Sequence, residues 1–257
     1  MSRLQWITIF FLLCTTPSFA GTLTGREIML RQAEQDKGFH DEVSMGVLTI
    51  VNPRGVKTVR KFKLLVLEAN NEHEKKTMIK IEAPADLKGT GLLSHQNKER
   101  AHDQWLYLPA LKKTQRLTGS LRTGRFTGSD FAYEDLSPRA VDDDSHQLLQ
   151  TEPCLDTRCY VVVSIPQIKD TAYSKITLWV RTDNYQVIRT DMYNKKGDLF
   201  KRAHFENFSR HKDKFLRAQR ITMKNLIKGG ESVLEFVDIN MQTMLRDEAL
   251  NRAALER

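Results

Sequence analysis

Glu42-Val43-Ser44-Met45-Gly46-Val47 alternates apolar and small or polar residues, and Lys61-Phe62-Lys63-Leu64-Leu65-Val66 repeats the rhythm after a turn at Asn52-Pro53-Arg54-Gly55. A period of two is the pattern of a strand with one buried face, whereas a helix would need a period of 3.6. Asn, Pro and Gly supply the backbone angles of a tight turn between two such runs. The pair reads as a β-hairpin, and its neighbours read likewise.

Downstream come Thr77-Met78-Ile79-Lys80-Ile81, Gly91 to Ser94 and Trp105 to Leu108. The second half adds Tyr160 to Ile165, Ile176 to Arg181, Gln186 to Tyr193, Leu199 to Phe208, Phe215 to Met223 and Ser232 to Ile239. Asn70-Asn71, Asp183-Asn184, Lys195-Lys196-Gly197-Asp198 and Gly229-Gly230 punctuate them. That makes about eleven strands at hairpin spacing, hence a mainly β, α+β protein with an antiparallel sheet. Upstream, Thr24 and Glu27 form a capping box for one amphipathic helix through Ile28, Met29, Leu30 and Ala33, stopped by Gly38. A second short helical turn is expected near Arg246 to Leu250. One helix cannot cover the apolar face of so large a sheet. The sheet must close into a barrel, stack on itself as a filled sandwich, or curl around a cavity. The irregular stretch 118–144 is long for a connection inside a compact domain, which points to a functional or packed loop.

The chain has 257 residues, with 13 Gly, 7 Pro and 3 Cys. Collagen-like, Gly/Pro-rich and disulfide-dense classes are excluded. Residues 1–20, MSRLQWITIFFLLCTTPSFA, carry Arg3, an apolar run from Trp6 to Leu13, a helix-breaking Pro17 and the small residues Ser18 and Ala20 before Gly21. This is the pattern of a cleaved secretory signal. Leu13 before Cys14 does not suit lipid attachment at that cysteine, so a soluble mature domain over 21–257 is expected. Cys154 and Cys159, close together in EPCLDTRCY, then suit a disulfide across a hairpin loop in an oxidising compartment. The net charge is +8. For an exported protein that charge favours anionic phospholipid surfaces over nucleic acid.

Catalytic patterns are weak. Seven histidines at 40, 73, 95, 102, 146, 204 and 211 make no close metal pair, and no cofactor motif is present. Ser94 and His95 are adjacent on a strand and point to opposite faces. Asp142-Asp143-Asp144 reads as a solvated turn, and Gly119, Gly124 and Gly128 lack the ending of a phosphate loop. The reading is a protein that is not an enzyme.

Three segments are distinctive: Glu82-Ala83-Pro84-Ala85-Asp86-Leu87-Lys88-Gly89-Thr90-Gly91-Leu92, Asp103-Gln104-Trp105-Leu106-Tyr107-Leu108-Pro109-Ala110-Leu111-Lys112-Lys113, and Gly128-Ser129-Asp130-Phe131-Ala132-Tyr133-Glu134-Asp135-Leu136. With the N-terminal helix they resemble the LolA-like outer membrane lipoprotein-sorting protein family of Gram-negative envelopes. The match is to its divergent branch rather than to LolA proper. The resemblance implies a curled, incomplete antiparallel β-barrel with a helical lid, as in LolA and LolB. It implies a periplasmic carrier for acyl chains of lipoprotein or lipid. It also implies an inner-membrane RND-type exporter and an outer-membrane acceptor as partners. Arg122-Thr123-Gly124-Arg125-Phe126-Thr127 is more basic than that family's loop. The second reading is a periplasmic adaptor of such an exporter, without cargo and with a filled core.

Under the carrier reading Val47, Phe62, Leu64, Val66, Met78, Leu92, Trp105 and Tyr107 are candidate cavity residues, each on one alternating face. Whether Trp105 and Tyr107 or Leu106 and Leu108 point inward stays open. Phe126, Phe131 and Tyr133 form a candidate mouth loop, and Lys112, Lys113, Arg116, Arg122 and Arg125 are candidates for head-group or membrane contact.

Overall fold

The computed structural model describes residues 23–68, 75–97 and 102–257. The expected signal segment and the Asn70-Asn71 turn lie outside the described residues.

Helix α1 spans Gly25–Gln35 and begins as its sequence dictates. Thr24 Oγ1 accepts from the Glu27 N–H at 3.2 Å, and Glu27 Oε2 accepts from the Thr24 N–H at 2.7 Å. Six strands follow: β1 (Asp41–Val51), β2 (Lys57–Glu68), β3 (Lys75–Ala83), β4 (Gly91–His95), β5 (Asp103–Leu108) and β6 (Lys113–Arg116). After an irregular crossing over residues 117–143 come β7 (Asp144–Cys154), β8 (Thr157–Pro166), β9 (Tyr173–Arg181), β10 (Val187–Asn194), β11 (Leu199–His211), β12 (Phe215–Asn225) and β13 (Glu231–Met241). A short turn at Asp247–Leu250 and helix α2 (Arg252–Leu255) end the chain.

The thirteen strands among the described residues form one antiparallel sheet in the order β6-β5-β4-β3-β2-β1-β13-β12-β11-β10-β9-β8-β7. Strands therefore pair with sequence neighbours, except at the centre, where β1 pairs with β13 (Leu48 opposite Leu234), and at β6 and β7, which are the two edges. The expected count of about eleven missed β6 and β7. Both are mostly polar and largely exposed, as edge strands are.

The sheet is curled. Gln104 on β5 donates to the Tyr133 carbonyl, and two residues on, Asp135 accepts from the Tyr173 hydroxyl on β9. Two residues of chain reach no more than about 7 Å. A flat sheet would hold β5 and β9 about 40 Å apart. The curl leaves a gap between β6 and β7, so the barrel is not closed. Residues 117–143 run from one edge to the other as a chain of short 3-10 turns, forming a plug.

The concave face carries the main core, with Leu48, Phe62, Ile79, Leu106, Met223 and Leu234 among its buried residues. Helix α1 packs on β7 and β8, burying Ile28 and Met29 beside Val162 and Val180. The outer face of β3–β5 is covered as well. Leu250 and Leu255 bury against Met78 and Leu93, with Trp105 and Tyr107 packed beside them. His95 Nε2 donates to the Leu250 carbonyl at 2.8 Å and fixes this C-terminal segment. Cys154 and Cys159 are joined in a disulfide at the β7–β8 hairpin, with Cα atoms 5.7 Å apart.

Candidate functional site

A cavity of about 560 Å³ lies inside the curl, lined chiefly by apolar side chains such as Leu48, Phe62, Leu64, Ile79, Phe205 and Phe236. A second compartment of about 330 Å³ adjoins it, with Met29, Met192 and Met223 in its wall. Phe131, Leu178, Thr190, Phe205, Ile221 and Leu234 belong to both walls, so the two compartments are contiguous. Methionine and aliphatic walls are adaptable and offer few fixed polar contacts, which suits a flexible hydrocarbon.

The plug closes one end of the curl, where β9, β11 and β13 begin. Asp130 is tied to β13, its N–H donating to Ser232 Oγ at 2.8 Å and its Oδ2 accepting from that hydroxyl at 2.9 Å. Lys201 on β11 pairs with Asp135 at 3.2 Å, and both are largely buried. Glu134 is 2% exposed and accepts from Thr171 Oγ1 at 2.6 Å and from the Ala172 N–H at 2.9 Å. Burial pushes the Glu134 carboxyl above the usual range, outweighing these bonds. Burial, with Asp135 and Glu134 nearby, also pushes the Tyr173 hydroxyl well up, so it stays a neutral donor to Asp135.

The other end is rimmed by charge. Arg217, near the start of β12, reaches Asp36 Oδ1 at 2.6 Å and Glu42 Oε2 at 2.9 Å. Lys75 meets Asp36 at 2.8 Å. Both cations lie over the Phe39 ring, 5.0 and 5.2 Å from its centre. Burial alone would disfavour the Arg217 charge, but Asp36 and Glu42 outweigh it and raise its pKa. These four charged side chains line the cavity and join α1's C-terminal end to β1, β3 and β12.

Of the residues singled out from sequence, Phe62, Leu64 and Val66 line the cavity together. Leu92 lies in the same concave core. Met78, Trp105 and Tyr107 are on the opposite face, under the C-terminal segment, so they correct the expected lining. Val47 likewise alternates with Leu48 and stands on the outer face. The cause is that apolar residues stand on both faces of β1, β4 and β5, and singly on the outer face of β3, so alternation marks two faces without saying which is inner. Leu48, Ile79, Phe205, Ile221, Leu234 and Phe236 were not singled out. Ladder pairing carries the missing signal, because residues directly opposite share a face. With Phe62 inward, Gly46 and Ile81 opposite it face inward too, and so do Leu48 and Ile79 two residues away.

The mouth-loop residues also differ from expectation. Phe126 and Phe131 do face the cavity, but they are 2% and 4% exposed and packed in the core with Tyr133. Among the basic candidates, Arg122 is buried, Arg116 pairs with Asp103, and Arg125 pairs with Asp130 at 3.0 Å. Lys112 and Lys113 alone of the five are exposed without an ion pair.

A family model described as "-like: Uncharacterized protein" matches residues 73–257. An outer membrane lipoprotein-sorting protein domain from Vibrio parahaemolyticus is 31% identical, with a TM-score of 0.87 over 91% of this chain and 98% of that one. A DUF1329 family protein from Desulfovibrio piger is 27% identical, with a TM-score of 0.85 over 90% of this chain and 97% of that one. A LolA superfamily protein from Nitrosomonas europaea shares the fold at 23% identity and a TM-score of 0.72, over 91% of this chain and all of that one. No curated protein matches the chain.

Proposed function

The chain belongs to the outer membrane lipoprotein-sorting protein domain family, in a divergent branch distinct from LolA proper, and from that premise we propose that it is a periplasmic carrier of acyl chains. The observation that carries this reading is the contiguous apolar cavity, about 560 and 330 Å³ in its two compartments, inside a sheet long enough to have packed solid. Each CH₂ taken from water is worth roughly 0.8 kcal/mol, so lipid chains do not leave a membrane unshielded. The carrier supplies that shield without chemistry. The cargo is a lipoprotein or lipid, taken from an inner-membrane donor such as an RND-type exporter and passed to an outer-membrane acceptor. Release follows from the adaptable wall, which binds hydrocarbon without trapping it, and from the tighter hold of an acceptor. An adaptor without cargo would have no use for an unfilled interior.

The test is mass spectrometry of the protein gently purified from periplasm, against a signal-less cytoplasmic preparation. Stoichiometric phospholipid or acylated peptide in the periplasmic sample is the expected result. Protein that emerges lipid-free, and takes up none from vesicles, would overturn the carrier reading.

A further inference from the structure

Two turns at the plugged end of the sheet share an unusual surface. The β1–β2 turn covers 52–56 and the β12–β13 turn covers 226–230. They touch: a Cβ built on Gly229 would lie 3.5 Å from Pro53 Cβ, and one on Gly230 would lie 3.0 Å from the Val51 carbonyl oxygen. Central pairing of β1 with β13 is what brings them together. Val56 (56% exposed), Leu226 and Ile227 (59% exposed) stand on this double tip, and exposed Val59 follows on β2. Three large aliphatic side chains exposed on adjoining turns are unusual, since turns are ordinarily polar.

The unpaired charge on them is positive. Arg54 and Lys228 on the two turns, and Lys57 at the start of β2, are exposed and make no ion pair among the described residues. Between Asn52 and Leu67 the sequence holds Arg54, Lys57, Arg60, Lys61 and Lys63 and no acid. Beside the second turn, Lys224 on β12 is balanced by Glu231 on β13 at 3.4 Å, but Lys228 is not. The β5–β6 turn, at the same end of the sheet, adds exposed Leu111 with Lys112 and Lys113.

We propose that this double tip, Arg54-Gly55-Val56-Lys57 with Leu226-Ile227-Lys228, docks the protein on an anionic phospholipid bilayer. Aliphatic groups at turn tips enter the head-group boundary while flanking cations meet lipid phosphates, the combination by which interfacial proteins bind. A protein partner would need acids complementary to the cations and a shaped pocket for the tips. A bilayer needs neither. The docking is independent of cavity loading.

The test is co-flotation of the full mature protein with intact vesicles, either phosphatidylethanolamine alone or mixed with phosphatidylglycerol. Binding only to the anionic vesicles, weakened by high salt, is expected. Each cation at such a surface contributes about a fivefold gain in partitioning. Replacing Arg54, Lys57 and Lys228 by Ala should therefore weaken binding roughly a hundredfold. Val56→Ser with Ile227→Ser should weaken it at least tenfold, with thermal unfolding unchanged in both variants. Wild-type protein that stays off anionic vesicles, or variants that float as wild type does, would overturn the proposal. A protein that extracts lipid yet never floats would overturn docking and leave the carrier reading standing.

Discussion

The ring of Phe62 lies directly on Gly46: a Cβ at Gly46 would stand 2.3 Å from Phe62 Cζ and 2.8 Å from the Glu235 carbonyl oxygen. Gly46 is opposite Phe62 on β2 and opposite Phe236 on β13, at a bulge in the central ladder, and the two rings meet edge to face at 5.7 Å. The missing side chain lets both rings settle against the sheet and leaves the cavity open above them. Gly46→Val should displace the rings into the cavity and destabilise the protein by about 1–3 kcal/mol, as overpacking does. Thermal unfolding measures the cost, and binding of a fluorescent fatty acid measures the lost space.

Ile221 borders both compartments. Ile221→Trp directs an indole towards empty volume, and the stability cost should stay within about 1–3 kcal/mol, the range of a small-to-large change. Uptake of lipid should fall at least tenfold in the folded variant. Undiminished uptake would remove the cavity from the carrier mechanism.

Glu134 anchors the plug with a carboxyl whose pKa is raised by burial. A raised folded-state value means that the protonated form is favoured on folding. That contribution is present below the unfolded value and is lost as pH climbs through the folded one. Glu134→Gln keeps groups that can bond Thr171 and Ala172 and carries no charge. The variant should gain relative to wild type as pH rises from the unfolded carboxyl value through the folded one, and a pair of melting curves against pH would read the crossing.

His95 works in the opposite sense. Burial lowers its pKa, ahead of the bond to Leu250 that favours the proton. Its contribution is present above the unfolded value near 6.5 and is lost as pH falls through the folded one. Acidification from pH 7 to pH 5 should therefore loosen the C-terminal segment on β3–β5 before the sheet as a whole. Amide exchange across 245–255 is the measurement. Equal protection at both pH values would refute it.

The Cys154–Cys159 bridge closes a loop of only a few residues. Chain entropy assigns so short a loop about 2 kcal/mol. Replacing both cysteines by Ser should lower stability by about that amount and leave lipid uptake intact, since neither lines the cavity.

The strands were legible because alternation survives wherever one face is wet, and α1 because Thr24 and Glu27 announce its start. Where both faces are dry the same signal loses its meaning. Met78 and Trp105 read as well as Ile79 and Leu106 until the C-terminal segment is seen to cover them. Phe126 and Phe131, set among Gly and Ser, read as a loop offered to cargo. Their burial depends on strands distant in sequence that no local pattern reveals.

The single crossing of the chain has a kinetic side. Residues 41–116 and 144–241 form two runs of strands, each built from hairpins between sequence neighbours. Such contacts close cheaply and early. The seam between the runs joins Glu42 to Met241 and cannot form until almost the whole chain is present. Until it does, two half-sheets expose their apolar faces and unpaired central edges. Closure of that seam is the step of highest loop-closure entropy in the fold, which makes it the slow one by topology.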